Sequence, residues 1–252
     1  MIVALLAAAL CSAQVGETPR PIPAMWTAEG TPWTVGQGNG SAGLFAPARF
    51  GITDRLELRT TGLFSLVAPN VLVKQTLAGD DTAAVAVTGR LTVPVGLGLT
   101  KGLFIPSNRS VGVPTVLGVG AIGGVRFGAN IVSFGLEARL GIKVGDFDVD
   151  PPDLFFFDTL VAPLTEGPRL TGRLLFEYFP GMNPIYIDSA GVTVELRGHL
   201  GGLGPDTDAR VLGVYRLSRN LVVGAGGVAA YERLTTGYFL SFAPLLDLQV
   251  RW

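Results

Sequence analysis

His199 is the only histidine of the chain, and an imidazole is the side chain best suited to move a proton near neutral pH. A general base needs its partners within hydrogen-bond reach. Glu195 shares the parity of His199 in a period-2 stretch, but four extended residues put it about 13 Å away. Any partner of His199 must therefore come from another strand. No serine stands in a recognisable nucleophile motif. A lipid-modifying enzyme using His199 is thus the disfavoured alternative, and the expectation is that the chain is not an enzyme.

Two other patterns suggest ligands. Asp146-Phe147-Asp148-Val149-Asp150 alternates carboxylates, with Asp153 and Asp158 following. Calcium takes several hard oxygens on a flexible loop, but this run lacks the glycine and distal glutamate of a calcium loop, and Pro151-Pro152 interrupts it. It reads as a solvated acidic loop, and no metal is expected. Gly118-Val119-Gly120-Ala121-Ile122-Gly123 fits the spacing of a dinucleotide fingerprint, which needs a helix after it and an acidic residue about 20 positions on. Gly124-Val125-Arg126-Phe127-Gly128 cannot easily open a helix. Glu137 is near the right distance, yet the alternation puts it in another strand. The glycines read instead as positions where a strand bends tightly in a small barrel. No cofactor is expected.

The elements that carry these residues are strands. From Leu240 to the end, Leu240, Phe242, Leu246, Leu248, Val250 and Trp252 share one face, and Ser241, Ala243, Asp247, Gln249 and Arg251 the other. Residues 132–144 repeat this, with Val132, Phe134, Leu136, Ala138, Leu140 and Ile142 against Ser133, Gly135, Glu137, Arg139, Gly141 and Lys143. So do residues 169–178 (Leu170, Leu174, Phe176 and Tyr178 against Arg169, Thr171, Arg173 and Glu177). In 192–200, Val192, Val194 and Leu196 oppose Thr193, Glu195, Arg197 and His199. Strands are predicted at about 41–51, 55–66, 70–79, 82–104, 115–128, 131–144, 169–179, 185–200, 208–217, 220–232 and 238–252.

Composition says where such strands belong. Mean hydropathy is +0.44, and only 15% of the 252 residues are charged, where about 25% is usual. No stretch beyond the N-terminus offers about 18 apolar residues free of charges and breakers. The apolar surplus is spread through short segments that hold glycines and keep period 2. Closing the sheet is how strands satisfy their backbone groups in lipid. The predicted fold is therefore all-β, a closed antiparallel transmembrane β-barrel of 10–12 strands; single-chain bacterial barrels have even numbers, which leaves ten and twelve open, with twelve preferred. The eleven segments become twelve if 82–104, which holds Pro94, is two strands, or if Leu154-Phe155-Phe156-Phe157 adds one. Otherwise 41–51 is not part of the wall. Tight turns at Gly128–Asn130 and Ser218–Asn220 alternate with longer connections at 105–114, 145–168 and 201–207. Counting back from a last strand that descends to the periplasm puts all three longer connections outside.

The N-terminus divides in two. Residues 1–13 (MIVALLAAALCSA) read as a signal peptide ending in small residues, although its start has no Lys or Arg. Cys11, the sole cysteine, is expected to be discarded with it, because Leu10 is not the small residue that lipidation needs. Residues 14–40, with four prolines and five glycines, read as an irregular periplasmic or lumenal segment, and 41–252 as the barrel.

Gly43–Lys74 reads GLFAPARFGITDRLELRTTGLFSLVAPNVLVK. It resembles the opening of a poorly characterised family of bacterial outer-membrane β-barrel proteins, in which G-L-F-x-P-x-R-[YF]-G-[IL]-T-D-R-[LV]-E-L precedes P-N-x-x-[VL]-K. The terminal Trp252 is similar to the end of the sorting signal read by the outer-membrane assembly machinery. The resemblance implies an outer-membrane location and a barrel fold, with outer-membrane lipids and that machinery as partners.

A lumen then receives the charges. Arg55, Arg59, Arg90, Arg126, Arg139, Lys143, Arg173, Arg197 and Arg251 are predicted to face it, with Glu57, Glu137, Glu177, Glu195 and Asp247. Either these charges pair and close the lumen, or water remains and the basic excess favours small anionic solutes. The function expected is a narrow channel or transporter for small solutes. The alternative is a closed structural or interaction barrel acting through its outer loops. A net charge of −1 gives no broad basic field, so nucleic acid is not an expected partner.

Overall fold

Alternation between an apolar and a polar face is stable only where the two faces meet different surroundings, and a closed sheet provides an inside and an outside. The strands are β1 (Gly40–Gly43), β2 (Ala48–Gly51), β3 (Leu56–Thr60), β4 (Asn70–Gly79), β5 (Ala83–Thr92) and β6 (Thr115–Phe127). They continue with β7 (Asn130–Ile142), β8 (Arg169–Tyr178), β9 (Ala190–Leu200), β10 (Gly204–Arg216), β11 (Leu221–Leu234) and β12 (Gly237–Arg251). Each pairs antiparallel with its neighbours in sequence, and β1 pairs with β12, closing a barrel of twelve strands. The computed structural model describes residues 30–44, 47–61, 65, 69–93, 115–142, 167–179, 190–201, 204–218, 220–234 and 237–252. The leader with Cys11, residues 14–29, Lys143, the acidic run 146–158 and the aromatic piece 154–157 lie outside these.

The twelfth strand comes from a different place than expected. Residues 41–51 are not one segment but two short strands, β1 and β2, paired Gly40 to Phe50 and Ser41 to Arg49. The stretch between them ends in Pro47, which has no N–H to give a ladder. The β1–β12 seam is short, pairing Ser41 with Arg251 and Gly43 with Gln249. Beyond it, Gly40 and Trp252 exchange backbone hydrogen bonds of 3.1 and 3.2 Å. The Trp252 indole lies over Gly40, where a Cβ would meet the ring, so the terminal aromatic closes the wall as its last residue.

The topology puts the connections 44–47, 61–69, 93–114, 143–168, 201–203 and 235–236 at one end, here the loop end. Residues 52–55, 80–82, 128–129, 179–189 and 217–220 lie at the turn end, with the chain terminus. All three longer connections singled out from the sequence thus share an end. Gly128 takes φ +59 in its tight turn, which a side chain would resist. In the β4–β5 turn the Asp80 carboxylate accepts the amides of Ala83 (2.9 Å) and Thr82 (2.7 Å). These amides hold its carboxyl below the usual range.

The two faces of the wall are inverted relative to a soluble barrel. Phe242 is 75% exposed and Leu246 70%, with Phe134, Leu174, Leu196 and Val211 also turned outward. Glu57, Lys74 and Glu177 are 0% exposed, and Arg49, Arg59, Arg139, Arg197 and Asp208 are buried inside. Exposed apolar patches on a soluble monomer rarely exceed a few hundred Å². Here they cover the described wall on every long strand.

Candidate functional site

The lumen is crossed at its turn end by the chain itself. Residues 30–36 are all buried, with Trp33 and Val35 at 1% exposure. The crossing runs from β8 to β2. A Cβ on Gly30 would stand 2.8 Å from Leu175, and a Cβ on Gly51 would strike the Gly36 carbonyl. Trp33 packs on Ala84 and Ile131, and its indole N–H donates to the Asp80 carbonyl at 2.9 Å.

A segment with no strand partner must satisfy its backbone elsewhere, and β3 and β4 supply the groups. Lys74 Nζ donates to the carbonyl of Thr31 at 3.2 Å and to that of Trp33. Thr76 Oγ1 donates to Pro32 O at 2.6 Å, and the Val35 amide donates to Glu57 Oε2 at 2.8 Å. Thr34 Oγ1 donates to Asp54 O at 2.5 Å. Glu57 also pairs with Arg59 and lies 3.6 Å from Lys74 Nζ. Buried charges are tolerated only when paired and hydrogen-bonded, and this Arg–Glu–Lys set is tied to the crossing segment through both Glu57 and Lys74.

A second cluster occupies the loop-side half. Glu137 takes Arg90 at 3.0 Å and Arg139 at 2.8 Å. Glu195 takes Arg173 at 2.8 Å, and Asp208 takes Arg197 at 2.6 Å. His199 joins this cluster. Its Nε2 lies 3.0 Å from Asp208 Oδ2 and its Nδ1 3.0 Å from Thr171 Oγ1. The partners of His199 therefore come from the two neighbouring strands, β8 and β10. A hydroxyl, imidazole and carboxylate in one chain is the connectivity that general-base chemistry uses. Here all three side chains are buried, and Asp208 is also held by Arg197.

The glycine-rich run of β6 makes room for these charges. Gly118 and Gly120 face inward, where Cβ atoms would stand 2.9 Å from Glu137 Oε1 and 2.8 Å from Thr88 Oγ1. Gly124 faces Pro32 of the crossing segment at 2.7 Å on the same construction. Gly123 faces outward with nothing near it. These inward glycines provide clearance for ion pairs and for the segment.

Of the residues predicted to face the lumen, Glu57, Arg59, Arg139, Glu177, Glu195, Arg197 and Asp247 are buried inside. Arg90, Glu137 and Arg173 are ion-paired there. Arg55, Arg126 and Arg251 sit at the turn end, partly exposed. Lys143 is outside the described residues. Glu177 is fully enclosed, and neither of its carboxyl oxygens meets a hydrogen-bond donor among the described residues. Sequence reasoning missed Arg49, Lys74, Asp208 and Arg210, although each alternates with an outward apolar neighbour (Phe50, Val73, Ala209, Val211). It also left open whether residues 14–40 lie in the lumen; 30–36 do. Compared with protein-family models and with curated protein sequences, the chain matches none.

Proposed function

We propose that the chain is an outer-membrane β-barrel that is closed at rest, so that it is not an open diffusion pore. The membrane reading is supported by the apolar outer wall and polar interior, and by the resemblance of Gly43–Lys74 to outer-membrane barrels. Lipids then cover the outer wall, and the assembly machinery reads the terminal strand ending at Trp252. The observation that carries the closed reading is the segment 30–36, laid across the lumen and held by Lys74 and Glu57. The Thr171–His199–Asp208 chain belongs to this reading as a clasp joining β8, β9 and β10, not as a catalytic group.

Planar-bilayer recording of the full chain tests the proposal. A silent bilayer, with heat-modifiable gel migration showing a folded barrel, is the expected result. Regular conductance steps from the unaltered protein would overturn it. A second reading, a narrow channel for small solutes that opens when the segment withdraws, is favoured by one observation. Basic side chains outnumber acidic ones in the described loop-side half, as a path for anions requires.

A further inference from the structure

The loop-side half of the lumen is uneven in charge and in bulk. On β5 to β10 the inner face carries Arg90, Arg139, Arg169, Arg173, Arg197 and Arg210 against three carboxylates, Glu137, Glu195 and Asp208. Two arginine pairs stand directly opposite one another across strands, Arg139 with Arg169 and Arg173 with Arg197. Like charges in that position weaken a sheet, and a wall made only for stability would alternate sign. The adjoining inner wall on β11 and β12 is uncharged over Val228, Ala230, Ser241, Ala243 and Leu245. Val228 and Ala230 are buried, whereas Ser241, Ala243 and Leu245 are only half-buried, so the accessible surface of this wall lies on β12. The register sets Arg210, Val228 and Ala243 side by side, where the two walls meet. The Arg210 side chain is 32% exposed, lies 3.8 Å from the nearest Asp208 oxygen, and makes no hydrogen bond through Nε.

We infer that this half of the lumen binds a small organic anion, its acid group on Arg210 and the neighbouring guanidiniums and its apolar body against Ala243 and Leu245. The inference rests on the closed reading, which turns this half into a dead-ended vestibule. A basic excess between low-dielectric walls concentrates anions. A guanidinium fork matches the two oxygens of a carboxylate or phosphate, and the short uncharged side chains accept an apolar body without stranding a polar group.

The test uses the refolded full chain in detergent micelles and fluorine NMR of 4-fluorobenzoate, with 4-fluorobenzyl alcohol as the same ring without the charge. The benzoate is expected to bind saturably and about tenfold more tightly than the alcohol, the scale of one charge-assisted contact. Arg210→Gln weakens it about fivefold on the same scale. Ala243→Phe fills the space and removes binding, while heat-modifiable migration shows that both variants still fold. Displacement by octanoate points to a free solute and displacement by phosphatidylglycerol to a lipid head group, and either supports the site. Equal binding of benzoate and alcohol, or unchanged binding in both variants, overturns it. Conductance steps with intact benzoate binding would sink the closure alone, and a silent bilayer with no binding would sink the site alone.

Discussion

Replacing Lys74 by methionine keeps the length of a fully buried side chain and removes its charge. The ammonium donates to two carbonyls of the crossing segment, those of Thr31 and Trp33. Hydrogen bonds to a charged group contribute about 1.5–3 kcal/mol each, so the two together hold the segment by roughly 3–6 kcal/mol. Part of this is offset, because the variant no longer buries an ammonium. Glu57 keeps Arg59 and the Val35 amide. The net loss is about 3 kcal/mol, a shift of roughly 100-fold toward the unseated segment. The assay is single-channel recording of K74M beside the unaltered protein, with gel migration to show that both barrels are folded. Intermittent openings in K74M against a silent parent are expected. A folded K74M that stays as silent as the parent, with residues 30–36 equally protected from protease, would refute the idea that Lys74 latches the lumen shut.

Gly124→Val drives a side chain into Pro32 without touching a charge, so it should unseat the segment and raise protease cleavage there while the barrel stays folded. Gly118→Val places a carbon against Glu137 Oε1, and overpacking of this kind costs about 1–3 kcal/mol, read as a lower urea midpoint in liposomes. His199→Gln loses the contacts to Asp208 and Thr171; it should lower the same midpoint and leave lipid turnover unchanged, and altered lipid A or phospholipid would instead mark the trio as catalytic. Leu246→Lys on the outer wall should cost about 2–4 kcal/mol if its site lies near the bilayer midplane, and under about 1 kcal/mol if that wall faces water.

What was legible in the sequence followed from inversion. An apolar outer wall and a charged lumen impose opposite chemistry on alternate residues, so 132–142, 169–178 and 240–252 show which side faces in before any strand is paired. The parity that puts Arg173 and Glu177 inside needs no register. Ion pairing does need it, which is why Asp208 was not connected to His199 or Arg197: the pairing of Arg197 with Asp208 is a property of the β9–β10 ladder. The short strands β1 and β2 have too few residues to display a period, so 41–51 read as one segment. Residues 30–36 have no period at all, because their backbone bonds go to Lys74, Thr76 and Glu57 rather than to a neighbouring strand. Lys74 is one polar position in a half-apolar strand, and no local pattern marks it out. Its role depends on a segment more than 40 residues away.

The central claim is that the apolar wall faces lipid and the charged wall does not. It is tested most directly by a spin-label scan along β12 in lipid bilayers, comparing collision with oxygen, which concentrates in lipid, and with a water-soluble nickel chelate. Labels at Phe242, Leu246 and Leu248 should collide with oxygen and hardly with nickel, and labels at Ala243 and Asp247 should lose that preference, giving a period of two. Strong nickel collision at Phe242 and Leu246, with no alternation along the strand, would contradict the account.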